Sequence, residues 1–203
     1  MATSWRWIFT ACLLAASACS APSAVPADRS AQVLPAATHA TLAELHEAAS
    51  RYVASQLPGA YLWGGVALRA RCDDLPNLRG QLGLGWIQVH SLFFGIDRQL
   101  VTANGWIDTD TAQLDVTYAD SSRGSWILDR ASFPGDEQIR SAAKAAYDYI
   151  TPLGIPDCVA HISRPRSDYQ QWMVTCRPEG QPATRACRFR VEPDGTTSPE
   201  PTE

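Results

Sequence analysis

The sequence predicts an α+β fold, with two helices packed on a mostly antiparallel sheet in the order helix, about five strands, helix, three strands. Apolar residues recur with helical spacing in only two segments, and period-two runs rich in strand-forming residues fill most of the rest. The strands come in groups and do not alternate one by one with helices, which argues against a parallel βαβ arrangement. At 203 residues, 45% hydrophobic and 19% charged, the chain can bury a normal core and is too apolar to be disordered. A formal charge of −4 gives no basis for a nucleic-acid partner, and none is expected.

The first helix is expected to start at Thr41. Thr41-Leu-Ala-Glu44 matches a capping box, in which hydroxyl and carboxylate satisfy free backbone N–H groups. Leu42, Leu45, Ala49, Tyr52 and Val53 form its apolar stripe, and Pro58-Gly59 ends it. Strands are expected at 60–70, 86–94, 99–107, 113–118 and 125–131, with Asp120 to Gly124 turning between the last two. The second helix is expected over Asp136 to Ile150, entered through Pro134-Gly135 and stopped by Pro152, Gly154 and Pro156. Strands at 158–163, 169–176 and 185–191 complete the set. Residues 41–192 are read as one domain, with two subdomains meeting near 133–136 as the alternative.

Upstream, Arg6 precedes a short apolar stretch and a run of small residues, the form of a secretory signal over residues 1–18. Its end, Leu14-Ala15-Ala16-Ser17-Ala18-Cys19, resembles the lipobox of bacterial lipoproteins, departing from it at Ala16, where a large aliphatic residue is usual. The resemblance implies cleavage before Cys19, acylation of that cysteine (palmitate among the chains), and attachment to a membrane. With Ser20 and not Asp after the cysteine, it also implies an outer-membrane lipoprotein facing the periplasm. Residues 20–40, dominated by Ala, Pro and Ser, read as a tether behind the Cys19 anchor, and residues 193–203 as a disordered tail.

In an exported domain, Cys72, Cys158, Cys176 and Cys187 suggest two disulfides. Cys176 alternates with Trp172 and Val174, and Cys187 with Phe189 and Val191, so a hairpin would place both cysteines on one face. This predicts Cys176–Cys187 and leaves Cys72–Cys158. No CxxC spacing occurs, and neither a metal nor any other cofactor is expected.

No catalytic set stands out. G-x-S-x-G is absent, Leu45-His46-Glu47 lacks a second histidine because position 50 is Ser, and there is no phosphate loop or dinucleotide fingerprint. His39, His46, His90 and His161 read as solvated or hydrogen-bonded residues, and Asp108, Asp110 and Asp115 as a solvated turn lacking the EF-hand spacing. Trp63, Trp86, Trp106, Trp126 and Trp172 all fall on expected strands; the core is the expected place for them, an exposed binding face the alternative.

Charge is distributed unevenly. From Asp97 to Glu137 there are eight acidic and three basic residues, whereas Asp157 to Glu192 holds six arginines and four acidic residues. Arg185, Arg188 and Arg190 are candidates for contacting a partner, since the guanidinium fork suits carboxylate or phosphate.

The second helix, Asp168-Tyr-Gln-Gln-Trp172-Met-Val174 and Phe189-Arg-Val-Glu-Pro-Asp194-Gly195-Thr together resemble small exported helix-plus-hairpin modules of the PepSY and cystatin-like type. That resemblance carries no catalytic residues and implies binding or inhibition. The leading expectation is a non-enzymatic envelope lipoprotein that binds another protein in the periplasm. A periplasmic inhibitor or immunity lipoprotein against a cell-wall hydrolase or toxin is the first alternative, and an envelope enzyme using His90 or His161 with a carboxylate is the second.

Overall fold

The structure, a computed structural model, describes residues 29–35, 40–92, 97–121, 130–164, 170–181 and 187–199. Its elements are β1 (Arg29–Val33), α1 (Leu42–Gln56), β2 (Tyr61–Leu62), β3 (Val66–Arg71), β4 (Gln81–Leu92), β5 (Asp97–Asp108), β6 (Gln113–Ser121), α2 (Asp136–Ile150), β7 (Cys158–Arg164), β8 (Trp172–Pro178), β9 (Cys187–Val191) and β10 (Thr197–Pro199). Short 3-10 turns occupy Cys72–Asn77 and Thr151–Leu153.

All ten strands among the described residues belong to one sheet, ordered β1-β6-β5-β4-β3-β7-β8-β9-β10, with β2 pairing to β4 beside β3. Every pairing is antiparallel. The α+β class and the expected element order are therefore corrected. A strand precedes the first helix, a further strand follows β9, and a single broad antiparallel sheet dominates the molecule. Both added strands lie at the ends of the sheet, in segments read as tether and tail. β1 has almost no apolar stripe to reveal it. Four of its five residues are exposed, and it is held by its ladder to β6 and by Arg29, whose guanidinium pairs with the Asp115 carboxylate. Only Leu34, just past the strand, is buried. The expected strand at 125–131 falls mostly outside the described residues.

The core lies on one face of the sheet. Leu82, Leu84 and Trp86 of β4 point there beside Ile107 and Ala103 of β5, Leu114, Val116 and Tyr118 of β6, and Leu68, Ile162, Val174 and Phe189 from the other half. The helices cover this face. α1 packs toward β2 and β4, while α2 packs toward β7 to β10 and the Cys72–Asn77 turn. Alanines at positions 142, 143 and 146 let α2 approach closely. Tyr149 of α2 lies on Phe189 with ring centroids 4.1 Å apart.

The N-terminus of α1 is satisfied from two sides. The Thr41 hydroxyl accepts from the Glu44 N–H at 3.2 Å, and the Glu44 carboxylate accepts from the Thr41 N–H at 2.7 Å, completing the capping box. The carboxylate of Asp136, first residue of α2, accepts from the N–H groups of Leu42 (3.0 Å) and Ala43 (2.9 Å). A negative charge there also complements the α1 dipole. His46 stacks flat on Phe133 at 4.5 Å, adding a second link between α1 and the approach to α2.

Two cysteine pairs sit at disulfide distance. Cys176 and Cys187 are directly opposite on β8 and β9, with Cα atoms 5.1 Å apart. Cys72, opening the 3-10 turn after β3, meets Cys158 at the start of β7 with Cα atoms 5.4 Å apart. Among the described residues, no helix is long and apolar enough to cross a membrane.

Candidate functional site

Strand alternation sends every second residue to the face away from the helices. On β3, Leu68 and Ala70 enter the core, so Arg69 and Arg71 point the other way. The same rule turns out His161 on β7, Thr175 and Arg177 on β8, and Arg188 and Arg190 on β9. The register then gathers residues far apart in sequence. Arg69 is paired with His161, His161 with Thr175, and Thr175 with Arg188, so one row crosses four strands. Arg177 lies one row away, paired with Val159.

Trp106 closes the site on the β5 side. It is 39% exposed, an unusual position for an indole, and its ring lies across the backbone of Gly83 on β4. A Cβ at Gly83 would come within 2.8 Å of that ring, so glycine is what lets the indole lie flat on the sheet. The core face holds the converse arrangement, where Trp86 of β4 leaves room only for Gly105 of β5. Trp106 and the His161 ring are tilted at 50° with centroids 6.2 Å apart. Together these residues line a shallow groove of about 370 Å³ with Arg69, Val159, Thr175, Arg177 and Arg188.

The groove is electropositive. Four other arginines are neutralised: Arg29 by Asp115, Arg51 by Glu47, Arg71 by Asp157 and Glu179, and Arg79 by Asp110. Among the described residues, Arg69, Arg177 and Arg188 have no carboxylate within 4.0 Å, the ion-pair limit. Burial pushes the His161 imidazole below its ordinary value, and the charges of Arg69 and Arg177 push it further the same way. His161 thus holds a proton less readily than a free imidazole, and among the described residues it has no carboxylate partner.

Other sequence candidates are placed as follows. Arg188 lines the groove, Arg190 shares its face one row over, and Cys19, His39, Trp126 and Arg185 lie outside the described residues. Trp86 and Trp172 are core residues, at 1% and 4% exposure. Asp108 folds back onto the N–H groups of Asp110 and Thr111, and Asp115 pairs with Arg29, so the aspartates of that turn serve local structure. His90 lies on β4. No cluster of metal-ligating side chains occurs among the described residues. A larger recess of about 540 Å³ at the start of α2 is lined by Glu137, Gln138, Arg164, Trp172 and Glu192, where charges of both signs meet.

No family model, curated protein or solved structure matches the chain.

The two perturbed histidines give a pH dependence. Burial also lowers the pKa of His46, against a smaller opposing effect of Glu47. A histidine with a lowered folded pKa takes up its proton more readily in the unfolded chain. Its contribution is complete above the unfolded value of about 6.5 and is lost as the pH falls toward the folded one. The urea midpoint is therefore expected to drop between about pH 7 and pH 5, and a His46→Phe, His161→Gln variant to show a flatter profile. Equal slopes for the two proteins would show that these imidazoles do not carry the dependence.

Proposed function

We propose that this chain is a non-enzymatic lipoprotein of the bacterial cell envelope, anchored through acylated Cys19 at the outer membrane and facing the periplasm, where it binds another protein. The observation that carries the binding reading is the sheet face around Trp106, which presents a half-exposed indole beside arginines that have no carboxylate partner among the described residues. Exposed Trp and Arg are the residues that most often dominate protein interfaces. The lipobox-like end of the signal supports the anchor, and the paired cysteines suit an oxidising compartment.

Two experiments test this. Labelled palmitate is expected to enter the wild-type chain and not a Cys19→Ser variant. In cross-linking of intact envelopes, a discrete adduct is expected for the wild type and its loss for Trp106→Ala. Unchanged labelling of Cys19→Ser would remove the anchor, and an adduct indifferent to Trp106 would remove the binding face.

A further inference from the structure

We infer that the groove beside Trp106 receives an acidic segment of the protein partner, an extended stretch whose carboxylates meet Arg69, Arg177 and Arg188. This rests on the reading above that the open face is the binding surface.

The first support is charge complementarity. The chain is acidic overall, yet Arg69, Arg177 and Arg188 line one recess with no carboxylate partner among the described residues, whereas the neighbouring Arg71 is paired with Asp157 and Glu179. An arginine presents a planar fork of donors matched to carboxylate. Three of them around one recess are complementary to several negative charges.

The second support is spacing. Arg69 on β3 and Arg188 on β9 share a row but stand three strand spacings apart, roughly 14 Å at the backbone. An extended peptide laid across the strands, at about 3.4 Å per residue, spans that distance in four or five residues, which sets its length against the row of side chains. His161 and Thr175 lie between the arginines and can hydrogen-bond the peptide backbone, and Trp106 offers a flat surface to an apolar side chain. The arginines and the indole line a recess, a shape that fits a strand-like segment better than the plane of a bilayer.

The test uses the full chain in detergent and a fluorescein-labelled hexaglutamate peptide, read by anisotropy. The wild type is expected to bind the peptide, less tightly as salt rises. An Arg177→Glu, Arg188→Glu variant is expected to bind at least about thirtyfold more weakly. Arg140→Glu, Lys144→Glu makes the same charge change on exposed positions of α2 and is expected to leave binding unchanged. Equal loss in both variants, no binding by the wild type, or binding of phosphatidylglycerol vesicles in place of the peptide would overturn the inference. An envelope adduct that needs Trp106 but survives the double charge reversal would sink the acidic-segment inference and leave the binding face standing. An adduct insensitive to both would remove the two together.

Discussion

Replacing Cys72 and Cys158 together by alanine is expected to lower the unfolding free energy by about 4.5 kcal/mol, the chain-entropy value for a closed loop of this size. The cysteines are 86 residues apart in sequence, so their bond restricts the unfolded chain far more than Cys176–Cys187, separated by 11, whose removal is expected to cost about 2.8 kcal/mol on the same basis. The long bridge also fastens the Cys72–Asn77 turn, against which α2 packs, to the first residue of β7. Thermal unfolding monitored by circular dichroism should show a drop of about 10–15 °C for the double variant. If reductant shifts the wild type no further than the short-bridge variant, the long bridge is not contributing.

Phe189→Ala is expected to cost about 3–5 kcal/mol, whereas Arg188→Ala, one residue earlier on the same strand, should change stability by less than about 0.5 kcal/mol. Phe189 is fully buried on the core face under Tyr149, and truncating it leaves a cavity that the paired β8 and β10 backbones cannot readily close. Arg188 is exposed on the opposite face and has no carboxylate partner among the described residues. Urea titrations of the two variants check the orientation of β9 directly. Comparable losses at both positions would mean that its faces are assigned wrongly, and the basic groove with them.

Local signals in this sequence were legible where a side chain reports its own burial or bond. Thr41 and Glu44 announce the capping box, and Leu114, Val116 and Tyr118 alternate as a half-buried strand must. The position of Cys176 opposite Cys187 is legible too, because both cysteines share a face with apolar neighbours. The fold class was not legible. β1 is held by backbone pairing and an Arg29–Asp115 ion pair, neither of which leaves a hydrophobic period, and β10 is three residues at an edge. The groove was only partly visible. Alternation in Val66-Ala-Leu-Arg69-Ala-Arg71 already turns Arg69 away from the core, but its place beside His161 depends on a β3–β7 register that crosses more than ninety residues of chain. The seat of Trp106 on Gly83 likewise requires knowing which residues of β4 and β5 are opposite.

The pairing of β1 with β6 also bears on reach. With acyl chains on Cys19 as proposed, the run from the anchor to Arg29 is ten Cα–Cα steps, at most about 35 Å when fully drawn out. A leash extending unbroken to Thr41 would stretch to roughly twice that length. Anchored in that way, the sheet would be moored by one of its own edges. Counted along the strand order, β3 stands four spacings, about 19 Å, inboard of β1, and β9 seven spacings, about 34 Å. Under the proposed anchoring, such a mooring would keep the basic groove within roughly 70 Å of the membrane surface, leash and sheet together.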